Sequence, residues 1–284
     1  MVWSEHPKAL LKSINHHPSK RWGQNFIWLP EHIQSIVNAC PLDPNLEVLE
    51  IGPGLGALTL ELSKRVKRVL ALEADGILGQ YLKEKFQKND VIEVVVGDAL
   101  EIKFSQLMIK PSSFQVISNL PYNVGTEIIF RLLDQWERIP LMAFMVQKEV
   151  SQRLQAKPSQ KSYGRLSVLP QVFYEIKSVY SLRGEQFYPR VEVDSEFVVF
   201  LRRKTPLIDL SDPKFSKFFK ELLKIYFSWR RKTLINSLIR GNLLSSESWN
   251  QILKTLQIDG KRRGETLSLK EMEKIARLAF VKLN

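Results

Sequence analysis

The chain has 284 residues, room for about two domains at roughly 100–200 residues each. With 44% hydrophobic and 25% charged residues it has a globular composition, which excludes a mainly disordered chain. The longest apolar run, Leu141–Val146, falls far short of the ~20 residues that span a bilayer, and the N-terminus carries no apolar signal core, so a cytoplasmic protein without membrane contact is expected. The single cysteine, Cys40, cannot form an internal disulfide, and no Cys/His cluster is spaced for zinc, so no metal is expected either. The net charge is +12 and unevenly spread: Met1–Pro206 carries 26 basic and 22 acidic residues, whereas Leu207–Asn284 carries 16 and 8. A small segment this basic repels itself and suits a polyanion such as nucleic acid; a merely solvated surface is the alternative.

In chain order, Leu46–Ile51 reads as a strand ending in a glycine turn, Ala57–Val66 as a helix and Arg68–Leu72 as a second strand. Ile77–Phe86 returns to the helical period. Val91–Val96, Phe114–Ser118 and Leu141–Val146 are further strands, rich in Val, Ile and Phe. Strands alternating with helices predict the doubly wound α/β class, with Ile176–Ser181 and Phe197–Leu201 pairing antiparallel at one edge. After a break at Arg202–Pro206 the pattern is helical: Phe215–Tyr226, Arg231–Ile239, Ser246–Leu256 and Leu269–Leu283, with Asp212 and Ser268 as N-caps.

Chemistry-bearing residues recur at the predicted strand ends. Glu50-Ile-Gly52-Pro-Gly54-Leu-Gly56 closes the first strand and opens a helix; its glycines allow a tight turn and a close ligand, although such turns also occur for backbone reasons alone. Glu73 ends the second strand, where a carboxylate can accept both hydroxyls of a ribose. Asp98 follows the third, placed to accept an adenine amino group. Taken singly, each acid reads more readily as an ordinary exposed loop acid; together, in this order, they are specific. Asn119-Leu120-Pro121-Tyr122 ends the fourth strand. All four groups fall at the carboxyl edge of the sheet, where open α/β sheets bind ligands.

The E-x-G-x-G-x-G pattern resembles S-adenosylmethionine-dependent methyltransferases rather than the dinucleotide-binding G-x-G-x-x-G, and Asn-Leu-Pro-Tyr resembles the motif of enzymes that methylate nucleobase amino groups. An adenine amino group is a weak nucleophile because its lone pair is delocalised into the ring. The Asn119 side-chain oxygen and the Leu120 carbonyl can each take one amino hydrogen and draw the nitrogen toward tetrahedral geometry. Pro121 fixes that turn, and Tyr122 offers a ring for the base. A base must leave its stack to reach such a pocket, and Phe187 is the candidate for a second ring, a core phenylalanine being the alternative.

Longer motifs sharpen the resemblance. Ser19-Lys20-Arg21-Trp22-Gly23-Gln24-Asn25-Phe26, Gln147-Lys148-Glu149-Val150 with Tyr163-Gly164-Arg165-Leu166-Ser167, and Val193-Asp194-Ser195 look like segments of the ribosomal RNA adenine dimethyltransferases. Arg230-Arg231-Lys232-Thr233 with Asn236-Ser237-Leu238, and Arg262-Arg263-Gly264-Glu265 with Leu267-Ser268, resemble the small-subunit branch. The likeness runs over about residues 19–280. It implies a Rossmann-like methyltransferase domain at 19–206 and an all-helical RNA-binding domain at 207–284; residues 1–18 lie outside the likeness and read as a mobile arm. It implies S-adenosyl-L-methionine as donor, without metal, and as substrate two adjacent adenines in the hairpin loop near the 3′ end of 16S ribosomal RNA, in an immature 30S subunit met by a monomer. For the donor it implies Gln24, Asn25 and Ile27 around the methionine portion, the loop of Glu50, Gly52, Gly54 and Gly56 against it, Glu73 on the ribose, Asp98 on the adenine, and Asn119 touching donor and target. Phe187 would help hold the flipped base, and Arg230, Arg231 and Lys232 would meet phosphates, helix-surface solvation being their alternative. Arg190, Val191 and Glu192 depart from the family's P-x-P-K-V-D-S linker. A 23S-modifying enzyme of the erythromycin-resistance type and a mainly non-catalytic assembly factor are the competing readings.

Overall fold

The computed structural model describes residues 5–19, 21–107 and 113–283, so Lys20 of the N-terminal motif lies outside the described residues. The chain divides into two compact units: Met1–Ser151 with Tyr174–Arg202, and Gln152–Phe173 with Arg203–Asn284.

The first unit begins with α1 (Pro7–Ser13), β1 (Phe26–Ile27) and α2 (Pro30–Ala39). It continues through β2 (Glu47–Ile51), α3 (Ala57–Leu62), β3 (Val69–Glu73), α4 (Gly76–Phe86), β4 (Ile92–Val96) and α5 (Phe104–Leu107). After these come β5 (Phe114–Asn119), α6 (Gly125–Leu133), β6 (Leu141–Gln147) and the start of α7 (Lys148–Gln155). Seven strands form one sheet in the order β4-β3-β2-β5-β6-β9-β7, where β7 is Tyr174–Leu182 and β9 is Ser195–Arg202. The first five are parallel, and the last two are antiparallel at the edge, as the sequence pattern predicts. Their near-continuous apolar runs fit strands covered on both faces: Val69–Leu72 and Phe114–Ser118 are wholly buried. Each such Val, Leu or Ile contributes about 1.5–3 kcal/mol by burial. Chain order reverses between β2 and β5, which makes the carboxyl ends of these two strands the switch point of the sheet. A two-stranded ribbon joins β1 to β8 (Phe187–Tyr188), pairing Ile27 with Phe187.

The mobile arm expected at residues 1–18 is not what residues 5–18 form. Pro7–Ser13 is a helix whose N-cap, His6, accepts a hydrogen bond from Lys8 N at 3.1 Å, and whose Leu11, 2% exposed, belongs to the core. The His6 ring packs 4.6 Å from Trp28 and 5.3 Å from Tyr188. Leu10, Leu11 and Ile14 lie at helical spacing and are drawn to apolar cover.

The second unit holds α8 (Arg165–Phe173), α9 (Pro213–Ser228), α10 (Leu234–Arg240), α11 (Ser246–Thr255) and α12 (Leu269–Leu283). Asp212 caps α9 through Lys214 N at 2.8 Å, and Ser268 and Glu271 cap α12 reciprocally. The unit is discontinuous: the 152–173 segment, assigned by the sequence to the first domain, packs with the C-terminal helices. Tyr163 donates to Leu267 O at 3.3 Å and Ser159 N to Glu265 O at 2.9 Å, and Leu154, Tyr163, Leu166 and Leu169 are buried.

Candidate active site

A cavity of about 290 Å³ opens at the switch point of the sheet. Its lining joins Gln24, Asn25 and Ile27 to Glu50, Gly52, Gly54, Glu73 and Asp98, with Asn119 and Pro121. Residues spread over nearly a hundred positions therefore share one cavity wall, because parallel strands deliver their ends to one edge.

The glycine loop forms the floor. Gly52, Gly54 and Gly56 all have left-handed φ, at 68°, 59° and 83°. Gly54 is the tightest of those in the lining: a Cβ there would stand 2.8 Å from the Phe26 ring. Glu73 pins this loop, accepting from Gly54 N at 2.9 Å and from Asp75 N at 3.0 Å. Burial pushes its carboxyl up to about 7 against those two hydrogen bonds. Glu50 is 1% exposed, and burial, with the charge of Glu73 nearby, pushes it up to about 8, so it is mostly protonated at neutral pH. Its Oε2 has no partner among the described residues. Asp98 is half-buried, and its Oδ1 accepts from Leu100 N at 2.7 Å.

Asp75 is a participant the sequence reading missed. Its Oδ1 caps α4 through Ile77 N and Leu78 N, while Oδ2 accepts from Gln24 Nε2 at 2.9 Å and lies 3.3 Å from His16 Nε2. Gln24 Oε1 in turn accepts from Ser19 N at 2.8 Å, so the segment after α1 is fastened over the cavity, with Pro7 in its wall. An Asp two residues past a strand-end Glu, at a helix start, is the signal that pointed there.

Across the cavity, Asn119 Nδ2 donates to the Asn25 carbonyl at 2.7 Å. Its Oδ1 is buried and has no hydrogen-bond partner among the described residues. The Nδ2 bond fixes the orientation of the amide and with it that of Oδ1. Pro121 O closes the following turn by accepting from Gly125 N at 2.8 Å.

Gly56, Leu120, Tyr122 and Phe187 lie outside the cavity lining. Gly56 starts α3, and Leu120 is buried. The Tyr122 hydroxyl shares a 2.6 Å hydrogen bond with Ser195 Oγ, and burial pushes it up to about 12 despite that bond. Phe187, 3% exposed, is part of the core and meets Tyr122 edge to face at 6.4 Å. Ser195 of the Val193-Asp194-Ser195 motif thus holds the Tyr122 hydroxyl; the two lie 73 residues apart, which no local pattern reveals. Val191, one of the linker departures, packs against the core, while Arg190 and Glu192 are exposed.

In the second unit, Arg230 is engaged within the protein, Nε donating to Glu265 at 2.6 Å and Nη2 to Lys161 O at 2.7 Å. Arg231 and Lys232 are exposed.

A doubly wound sheet with this loop at its switch point, joined to a helical unit, has the fold of the S-adenosylmethionine-dependent methyltransferases. The chain belongs to the ribosomal RNA adenine dimethylase family, whose model matches residues 15–279. It is accordingly an S-adenosylmethionine-dependent rRNA methyltransferase. The chain is 40% identical to a Ribosomal RNA small subunit methyltransferase A of Syntrophotalea carbinolica, over 93% of this chain and 98% of that one. A protein of the same name from Bacillus cytotoxicus is 38% identical, over 93% and 92%. Among solved structures, a dimethyladenosine transferase from Plasmodium falciparum superposes with a TM-score of 0.75 at 24% identity, covering 90% of this chain and 97% of that one. The 23S rRNA methyltransferase ErmE gives 0.66 at 24% identity, covering 90% and 99%, so both share the fold. No helix among the described residues is long and apolar enough to cross a membrane.

Proposed function

We propose that this chain dimethylates the exocyclic amino groups of two adjacent adenines in the hairpin loop near the 3′ end of 16S ribosomal RNA. It works as a cytoplasmic monomer on immature 30S subunits, with S-adenosyl-L-methionine as donor and no metal. The observation that carries this reading is the buried, unpartnered Oδ1 of Asn119 beside a clamped Nδ2. An acceptor left bare in a protein interior costs roughly 1–3 kcal/mol, and a ligand N–H relieves that cost.

The residues present suit the donor. Gly52 and Gly54 leave room for close backbone contact, and Glu50 Oε2 is a second bare polar atom in the same wall. Glu73 receives the ribose hydroxyls and Asp98 the adenine amino group, while Gln24, Asn25 and the Ile27 backbone close over the methionine portion. When bound, the donor supplies an electrophilic methyl group on a sulfonium.

The protein prepares the nucleophile. Asn119 Oδ1 and the Leu120 carbonyl each accept one hydrogen of the target amino group, so its lone pair leaves the ring and points into the cavity. Pro121 holds that carbonyl in place, and Tyr122, steadied by Ser195 and by the edge of Phe187, offers a face to the base. The methylated nitrogen gives its extra proton to water, so positioning supplies most of the acceleration. Arg231 and Lys232 suit phosphate contacts.

The relatives' names support the small-subunit substrate over a 23S one. The test is transfer of labelled methyl from S-adenosylmethionine to unmethylated 30S subunits, 50S subunits and naked 16S RNA. Label on two adjacent 16S adenines, strongest on 30S particles, is the expected result; label confined to 23S RNA overturns it.

A further inference from the structure

The mouth of the cavity carries an aromatic residue that the methyl-transfer chemistry does not use. Trp22 and Arg21 line the same cavity as Asn119 and Pro121. Trp22 is half-buried, and the Arg21 guanidinium lies over its ring at 4.9 Å, stacked on the indole rather than on a carboxylate. This turn is built tightly against the target loop. Gly23 has a φ of 58°, and a Cβ there would stand 2.7 Å from Asn123 Oδ1 and 3.2 Å from Tyr122 N. Asn123 Nδ2 donates to Arg21 O at 2.7 Å, which locks the two turns together. Three residues beyond Trp22, Asn25 O holds the Asn119 amide. The backbone that carries the indole is therefore fixed relative to the Asn119 acceptor.

An indole on a fixed turn, backed by a guanidinium and lining a site for a flipped base, has the chemistry of a stacking platform for single-stranded RNA. Trp22 lines the cavity, whereas Phe187 is buried in the core and Tyr122 lies outside the lining, which leaves Trp22 as the aromatic ring for the next nucleotide along the strand. We infer that Trp22 stacks the base adjacent to the adenine being methylated, and that Arg21 holds the phosphate between the two. The inference rests on the adenine-methylating reading above and adds a subsite to it. A purine neighbour is favoured because it offers the larger ring face, which suits a substrate of two adjacent adenines.

The experiment compares wild type, Trp22→Ala and Trp22→Phe on unmethylated 30S subunits carrying either the natural loop or one with uridine beside a single target adenine. On the natural loop, Trp22→Ala should raise KM for the subunit about 10-fold or more while the donor Kd stays within about 2-fold, and Trp22→Phe should recover most of the loss. On the uridine loop, wild type should already show a raised KM, and Trp22→Ala should add little. A Trp22→Ala defect equal on both loops, or one seen in donor Kd in place of subunit KM, overturns the platform and makes Trp22 a wall of the donor cavity. Wild type that leaves both kinds of subunit unlabelled overturns the methylation reading, and the platform with it; a Trp22-specific failure leaves that reading standing.

Discussion

The two walls of the cavity are prepared in opposite ways. On the donor wall most polar groups already have partners: Glu73 takes two backbone N–H groups and Asp98 takes Leu100 N, while Asp75, behind the lining, caps a helix and holds Gln24; Glu50 Oε2 is the exception. On the target wall, Asn119 spends its amide N–H on Asn25 and leaves its oxygen bare. A donor that arrives with many polar groups is met by shape and backbone, with carboxylates already aimed. The target offers one weak nucleophile, and the wall facing it keeps one strong acceptor in reserve. With the first wall holding the donor and the second the target, as proposed, binding should be lost by degrees on the first and chemistry all at once on the second.

That contrast predicts where the largest effect lies. Asn119→Ala should lower kcat about 100- to 1,000-fold, the loss typical of removing one aimed transition-state hydrogen bond, with donor Kd shifted only a few-fold. Single-turnover transfer and calorimetry on the same preparation separate the two. A loss carried wholly by donor Kd would place Asn119 on the donor wall and erase the distinction.

Glu73→Gln comes next, with donor Kd rising about 10-fold for one weakened contact and kcat changing little. The same carboxyl gives a pH dependence. Its value in the folded protein, about 7, lies above its ordinary value of 4.5, so folding favours the protonated form. The resulting stabilisation is complete below about 4.5 and is lost as pH rises through about 7, so Tm of the donor-free protein should fall between pH 5 and 8. In the proposed donor site the ribose hydroxyls donate to the ionised Glu73 carboxylate, so donor affinity should rise over the same interval and level off above it. Glu73→Gln should flatten the affinity profile; Glu50, raised to about 8, leaves some residual slope in stability. A donor affinity independent of pH from 5 to 8 would remove Glu73 from the ribose contact.

Much of this architecture was legible in the residues themselves. The parallel strands show as Val- and Leu-rich runs, and Glu50, Glu73, Asp98 and Asn119, which line one cavity, stand at or beside the ends of those runs. What escaped depends on partners far apart in sequence. Asp75 shows its helix cap locally, but its bond to Gln24 spans 51 residues. The 152–173 segment reads as part of the first domain until Tyr163 meets Leu267, 104 residues on. The N-terminal arm has only a seven-residue helix, too short to be stable alone, and its order comes from packing of Leu11 and capping by His6. Arg230 reads as a free cation in an R-R-K run, yet it pairs with Glu265. Arg230→Ala should therefore lower Tm, while Arg231→Ala and Lys232→Ala should leave it unchanged and weaken binding to 30S subunits in a salt-dependent way. Equal Tm losses for all three would assign the whole run to structure.

The smallest expected effect probes how firmly the target wall is backed. Ser195→Ala removes the 2.6 Å partner of the Tyr122 hydroxyl and leaves that half-buried group to find water. A neutral hydrogen bond of this kind contributes about 0.5–1.5 kcal/mol, so stability should fall by about that amount. Tyr122 still meets the edge of Phe187, so its ring stays in place and only its freedom to tilt increases. The functional consequence should be a rise of about 2- to 5-fold in KM for the RNA, with kcat nearly unchanged, since the hydroxyl touches neither reacting atom. Tyr122→Phe should match it, because each variant breaks the same bond from one end, and the double variant should be no worse than either alone. Additive losses in the double variant would mean that Ser195 and Tyr122 act separately, and that the ring behind Asn119 is held by Phe187 alone.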